Sequence, residues 1–409
     1  MIVVYGKGKV GDGLHALLTH VDIDHVLMDD ADRDDTVLRD ADIIIMSPGI
    51  KPTHDIYVLY WIKILSELSY LGLLMQTLNL PKITFIGITG TNGKSTTSWI
   101  MYQALQKLLP SSKIWLTWNF DVPLSKTLLS IMEDTEKKEH ICVVETSSFM
   151  LYNIKNFIFD YSIRLNIARD HLDRHGTMEN YVQAKMAICI NTKQSFIAVD
   201  LFDTLPDWVK NHTTIIPQID DISYTKFLWK HNMHNISAVI SCLANISQER
   251  AIELDVQSIF SSIEPLPHRI QTIATIDGIC IIDDGISTSA QSLFAWLDAV
   301  ETQCVLIVGW YDKGDDYTIL KSIFADKVWY VVGLGQNKDI FISMAKDLWI
   351  SYALSNTLKD AVHTALHIAK NHQIPTILYS PGAASFDMFV NVYDRVDQFN
   401  AIILWLTAQ

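Results

Sequence analysis

Short apolar runs alternate with helix-length amphipathic stretches along the whole chain. That alternation predicts α/β architecture with parallel sheets, because strands covered on both faces read as continuous apolar runs. A first unit opens with a strand at Ile2–Tyr5, a glycine turn from Gly6 to Gly11 and a helix. Further strands end at Met28-Asp29 and run from Ile43 to Met46. A second unit starts near Pro81, with strands at Ile83–Ile88, Ile141–Val144 and Ile163–Ile167. The polar, strand-poor stretch around Asp200–Lys226 is expected to be peripheral. Two prolines in Ile263-Glu264-Pro265-Leu266-Pro267-His268 cannot continue a helix and mark a linker. Strands near Ile279–Ile282, Val305–Val308, Trp329–Val332 and Ile377–Tyr379 follow. Three domains are expected: a Rossmann-like unit at 1–79, a central P-loop unit with a parallel sheet at 80–264, and a second Rossmann-like unit at 265–409.

Composition narrows the partners. A chain of 409 residues exceeds one ordinary core, and 49% hydrophobic residues supply the material for several. The net charge of −14, with no basic run to offset it, repels nucleic acid and anionic membranes, so neither is expected as a partner. Anionic ligands must then be met by helix N-termini and single lysines. Cys142, Cys189, Cys242, Cys280 and Cys304 are scattered without C-x-x-C pairing, which points to reduced thiols and a cytoplasmic protein. The opening MIVVYGKGKVGDG is no signal peptide, and the greasy segment 57–80 is interrupted by Lys63 and Glu67. No membrane insertion is expected, and a monomer is.

Two glycine loops carry the first chemistry. Gly6–Gly11 fits G-x-G-x-x-G with Asp29 ending the next strand, a pattern that suits either a phosphate or a bare strand–helix turn. The second, Thr89-Gly90-Thr91-Asn92-Gly93-Lys94-Ser95-Thr96, follows an apolar strand and precedes a helix with Tyr102, Leu105 and Leu109 on one face. Its glycines let successive N–H groups turn inward at a helix N-terminus. Lys94 is placed to reach outer phosphates and Ser95 to hold Mg²⁺. The early glycine of the usual phosphate loop is replaced by Ile88.

Three further residues converge by position. Glu145 ends an apolar strand, where ligands of parallel sheets bind, and suits a hard cation. His171 follows the next strand and suits a metal ligand or a hydrogen-bonded loop histidine. After Thr177, Met178, Tyr181, Val182 and Ile188 make an apolar stripe that Lys185 completes. Such a lysine either loses its proton, and as a neutral amine takes up CO₂ as a carbamate, or snorkels to water. Spacing leaves both open.

The motifs TGTNGKST, Glu145-Thr146-Ser147-Ser148-Phe149, LNIARDHLDRHGTMENYVQAK, His231-Asn232…Asn235, Pro267-His268-Arg269, YDKGDDY (311–317) and SPGAASFD (380–387) together resemble the Mur ligases. The resemblance extends over all three domains and points to the members that add D-glutamate. It implies that ATP phosphorylates the carboxylate of UDP-N-acetylmuramoyl-L-alanine and that the amine of D-glutamate attacks the acyl phosphate. It implies two Mg²⁺ ions held by Ser95, Glu145, His171 and a carbamylated Lys185. Lys94 would act in phosphoryl transfer, and Gly90 through Thr96, Asn232, Asn235, Arg269 and Asp284 would contact ATP. Gly8, Lys9, Val10, Asp29, Ser47, Pro48, Gly49, Asn119, Ser147 and His171 would hold the UDP-muramoyl substrate, and Thr288, Lys313 and Ser385 D-glutamate.

The chain departs from that pattern at several places. Ile286 stands for a lysine, Val392 for an aromatic and Val396 for a glycine. Trp118, Asp121 and Trp229 also replace glycines. A ligase adding another amino acid such as L-glutamate, or using a folate-like acceptor, is the second reading. A nucleotide switch lacks a D-x-x-G element, and a nicotinamide dehydrogenase leaves the second loop without a role.

Overall fold

In the computed structural model, which describes residues 1–117, 122–136, 138–219, 230–300, 302–312, 315–385 and 387–408, sixteen strands form three sheets. The first contains β1 (Ile2–Tyr5), β2 (His25–Met28), β3 (Ile43–Met46) and β4 (Ile64–Ser66) in the parallel order β2-β1-β3-β4. The second holds β5 (Ile83–Thr89), β6 (Lys113–Thr117), β7 (His140–Glu145), β8 (Phe159–Arg164), β9 (Thr192–Ile197) and β10 (Thr213–Ile215). Its order is β10-β9-β8-β5-β7-β6, again parallel. The third has β11 (Gln271–Ile276), β12 (Ile279–Asp283), β13 (Cys304–Gly309), β14 (Val328–Leu334), β15 (Ser351–Leu354) and β16 (Thr376–Tyr379) in the order β11-β12-β16-β13-β14-β15. Only its edge pair β11–β12 is antiparallel. One compact unit ends at Glu264 and carries the first two sheets; the other, from Pro265, carries the third.

Several elements differ from expectation for readable reasons. The helix after β1 begins at Lys9, inside the glycine turn, and a Cβ on Gly11 would lie 2.0 Å from the Gly6 carbonyl oxygen. Gly11 therefore seats the helix on the loop rather than forming the turn. Strand β8 runs Phe159–Arg164, earlier than the expected Ile163–Ile167. The polar Asp160, Ser162 and Arg164 hid its start, and beyond Arg164 the chain leaves the sheet to bond the phosphate loop. The stretch after Asp200 contributes the short edge strand β10, and β4 is only three residues long, too brief to register as a pattern. Cys142, Cys189, Cys242 and Cys304 are buried free thiols, and Cys280 is partly buried.

Sheets one and two meet through a buried carboxyl. Glu67 opens the helix Glu67–Leu74, and its Oε1 accepts from Ser125 N at 3.2 Å and Ser125 Oγ at 2.9 Å. Ser125 lies in the first turn of the helix Leu124–Glu133, whose N-cap is Pro123 and offers no side-chain acceptor. Glu67 thus satisfies an orphan helix donor from outside the helix. Burial pushes the Glu67 carboxyl up to about 7, with the Ser125 bonds pulling the other way.

A folded-state value raised above the unfolded one means that the native protein binds the extra proton. Stability is then fully present below about pH 4.5 and falls until about pH 7. Glu67→Gln keeps an acceptor for Ser125 and removes the proton. In urea titrations from pH 4.5 to 7.5, the wild type is expected to lose about 3 kcal/mol more than the mutant. Equal slopes would show that Glu67 does not titrate in this range.

Candidate active site

The phosphate loop is built as the sequence requires. β5 delivers Thr89, Gly93 takes φ +82°, and the helix Lys94–Leu108 starts immediately after. A Cβ at Gly93 would lie 2.5 Å from Asn235 Oδ1, so only glycine admits that asparagine. Asn235 and Asn232 are both buried, and Asn235 Nδ2 donates to Asn232 Oδ1 at 3.3 Å. Asn92 and Asn166 clasp each other: Asn92 N donates to Asn166 Oδ1 and Asn166 Nδ2 returns to Asn92 O. Thr91 Oγ1 meets Tyr181 Oη at 2.9 Å and accepts from Ala168 N at 2.9 Å. Thr96 is buried, Ser95 half-buried and Asn92 exposed. On the helix, Ile100, Met101, Ala104, Leu105 and Leu108 face the core, while Tyr102 is only half-buried.

β7 is buried along its whole length and ends in Glu145, which pairs in register with Ile88 of β5. Ser147 caps the helix Ser148–Leu151. The chain after β8 reaches His171, which takes φ +53° and opens the one-turn helix Leu172–His175. His171 Nε2 lies 3.3 Å from Asp170 Oδ2, and its ring sits edge-on to Phe149 at 4.8 Å.

Lys185 does not snorkel. It is 1% exposed, and Nζ donates to Gly90 O at 2.7 Å and to Thr89 Oγ1 at 3.3 Å. The buried face of its helix, Met178–Ile190, is Tyr181, Ala184, Lys185, Ile188 and Cys189, whereas Met178 and Val182 are only half-buried. Close approach of this helix depends on Gly87 in β5, where a Cβ would lie 2.9 Å from Ile188 Cδ1 and 2.8 Å from Phe159. Burial first, then the nearby Lys94, holds the Lys185 amine well below the ordinary lysine range; Asp170 pulls the other way. Lys94 Nζ donates to the same Gly90 carbonyl at 2.9 Å and to Thr91 O at 2.8 Å.

A cavity of about 620 Å³ joins these parts to the first sheet. Gly6, Lys7, Gly8, Lys9 and Val10 line one side and Ser47, Pro48, Gly49 and Ile50 another, with Lys94, Ser147, Ser148, Phe149, His171 and Lys185 completing it. Ser47 Oγ fixes its loop by donating to Gly6 O at 3.1 Å. Asp29 is not among the lining residues; its side chain accepts from Ala31 N in a local turn. Asn119 and Lys313, with Trp118, Asp121 and Trp229, lie outside the described residues.

In the second compact unit, Asp284 is fully buried and accepts from Ser380 Oγ at 2.6 Å, and burial raises its carboxyl well above the usual range. Asp283, which bonds His268 at 2.9 Å, ends β12, and Asp284 follows it. Arg269 and Thr288 are half-buried, and Ser385 is buried. No spacing or motif singled out Arg395, whose buried guanidinium donates to Ala383 O and Gly285 O, both at 2.9 Å. It thereby joins the loop that leads to Thr288 with the loop that leads to Ser385. Arg174 has no signal of its own in the sequence, although it stands inside the run that carries the resemblance; Tyr181, expected on the apolar stripe, is buried there and adds a hydroxyl contact to Thr91.

The Mur ligase middle domain family matches residues 88–216. The UDP-N-acetylmuramoylalanine–D-glutamate ligase of Caldicellulosiruptor bescii is 30% identical, covering 90% of this chain and 85% of that one. The chain belongs to the Mur ligase family. The ligase of the same description from Aquifex aeolicus is 27% identical to this Mur ligase over 99% of both chains. Among solved structures, MurF ligase from Thermotoga maritima in complex with ADP shares the fold, with a TM-score of 0.59, 16% identity and 91% coverage of each chain. Among the described residues of this Mur ligase, no helix is long and apolar enough to cross a membrane.

Mg²⁺ can be tested against the donors present. Among the described residues no three His, Cys, Asp or Glu side chains gather around one point. Two lysine amines instead converge on the Gly90 carbonyl, so the spot lacks negative charge. The donor set suits a hard cation if Lys185 carries a carboxylate-like group beside Glu145. The unmodified amine leaves a characteristic signature. Folded Lys185 holds its proton less tightly than the unfolded chain does, so this penalty shrinks as pH rises towards the ordinary lysine range. In Mg²⁺-free, CO₂-depleted buffer, Lys185→Met is expected to stabilise the fold by about 1–3 kcal/mol at pH 7 and by less at pH 9.5. Denaturant titration checks it; destabilisation at pH 7 would contradict a costly buried amine.

Proposed function

We propose that this Mur ligase joins D-glutamate to UDP-N-acetylmuramoyl-L-alanine at the expense of ATP, in peptidoglycan precursor synthesis. The observation that carries the reading is one cavity lined both by the first-sheet loops and by Lys94, His171 and Lys185. An acceptor held by its diphosphate at Gly8-Lys9-Val10 and Ser47-Pro48-Gly49 would extend its carboxylate towards the phosphate loop. The names of the relatives agree in substrate and amino acid.

The roles follow from position. Backbone N–H groups of Gly90–Thr96 would hold the ATP phosphates, and Lys94 would leave the loop carbonyls to neutralise charge as the terminal phosphoryl moves to the acceptor carboxylate. Ser95, Glu145, His171 and Lys185 as its carbamate would hold Mg²⁺, which when bound spreads phosphate charge. Asn232 and Asn235, behind Gly93, would lie on the adenine side, with Arg269 and Asp284 adding nucleotide contacts. The amine of D-glutamate, held by Thr288, Lys313 and Ser385, would attack the acyl phosphate. Its nitrogen bonds the carbonyl carbon, inorganic phosphate leaves, and a proton is lost from nitrogen. Asn119 and Ser147 would fix the muramoyl portion. The protein would work in the cytoplasm as a monomer.

ADP release is expected only when ATP, UDP-N-acetylmuramoyl-L-alanine and D-glutamate are all present, with L-glutamate at least about 100-fold poorer in kcat/KM. Comparable turnover with L-glutamate, or ADP release without the muramoyl acceptor, would overturn the assignment. Lys185→Ala is expected to lose about 1000-fold in kcat and to recover part of it with added formate or acetate. Full activity without a carboxylate would rule out the carbamate role.

A further inference from the structure

The cavity is assembled from elements of two sheets, and one side chain spans them. Arg174 is 8% exposed and stands on the one-turn helix Leu172–His175, three residues after His171. Its Nη1 donates to Gly49 O at 3.2 Å and its Nη2 to Ile50 O at 2.7 Å. Its guanidinium lies 4.1 Å from the Phe149 ring centre, and that ring in turn meets His171. Two successive carbonyls and an aromatic face suit the flat, forked guanidinium; a lysine ammonium cannot match all three contacts.

The base of this fork is itself held. His175 Nε2 lies 3.0 Å from Ser148 Oγ, and Asn180 Nδ2 donates to His175 O at 2.9 Å. The turn carrying Arg174 is thus pinned to the helix after β7 and to the helix that carries Lys185. On the other side, the loop Ser47–Ile50 closes on itself through Ile50 N to Ser47 O at 3.1 Å. Ser47, Pro48, Gly49 and Ile50 all line the cavity. Arg174 therefore sets the distance between the loop that receives the acceptor and the loop that receives ATP.

We infer that Arg174 is a positioning residue for the UDP-linked acceptor: it holds the Ser47–Ile50 loop in register with the His171 turn and touches neither nucleotide. The inference rests on the proposed acceptor site and not on the identity of the amino acid. Loss of the fork frees the first-sheet loop and leaves the phosphate loop, which has its own clasps at Thr91 and Asn92, unchanged.

The test compares Arg174→Ala and Arg174→Lys with wild type in steady-state kinetics, and measures binding of UDP and of ADP separately by calorimetry. In Arg174→Ala the acceptor KM and the UDP Kd are expected to rise about tenfold or more, the loss of one charge-assisted hydrogen bond or more. ATP KM and ADP Kd are expected to stay within about twofold. Arg174→Lys, keeping one donor, is expected to fall between, at about threefold. Parallel losses for both nucleotides, unchanged acceptor KM and UDP Kd, or failure of both variants to fold would overturn the inference. A wild type that binds UDP but does not turn over the muramoyl acceptor would refute the proposed reaction instead, and the UDP-against-ADP comparison would still decide the role of Arg174.

Discussion

The phosphate loop and the helix behind it are held together by a lysine amine buried against a carbonyl. The bond from Lys185 to Gly90 O needs the helix Met178–Ile190 pressed close to β5, which Gly87 permits by offering no side chain to Ile188. A closer helix buries the amine more completely, and burial is the main cause that disfavours its charged form. Packing and chemistry are therefore coupled at this point. A larger residue at position 87 would push back that helix and reposition the Lys185 amine against Gly90, three residues further along the chain.

Beside that bond an acidic protein places cationic groups in a cavity. The chain carries a net charge of −14, yet Lys9 and Lys94 line one cavity with the N-termini of the helices Lys9–His20 and Lys94–Leu108 close by. Two anionic substrates, one a nucleoside diphosphate sugar and one a triphosphate, would otherwise repel one another and the acidic surface.

Ten of the sixteen strands among the described residues were legible in the chain, because parallel strands buried on both faces read as unbroken apolar runs, as in β5, β7, β13 and β16; the edge strands β4, β6, β10, β11 and β15, and β9 beside an edge, were not. β8 was misplaced because Asp160, Ser162 and Arg164 face protein groups, a property that composition does not reveal. Asp160 accepts from Phe85 N, and Ser162 bonds Ser195. Within the site, residues on glycine loops and strand ends could be named from spacing, since the loop itself fixes where they go. Arg174 and Arg395 could not, because each acts by spanning elements that only the tertiary fold brings together. Lys185 stood between these cases: its place on an apolar stripe posed the question, and only the packed helix excluded an escape to water.

The departures in the third sheet's unit have a packing logic of their own. Val396 stands where the family pattern has glycine, and its Cγ2 lies 2.5 Å from the position a Cβ on Gly285 would take. The space the valine fills is left by Gly285, which follows Asp284 on the loop towards Thr288. Arg395, the neighbour of Val396, bonds the carbonyl of that same glycine. The loop is thus held by one residue and packed by the next, both from the helix Val392–Thr407. With no side chain at Gly285, Val396 occupies that space without disturbing the Arg395 bonds that hold the loop.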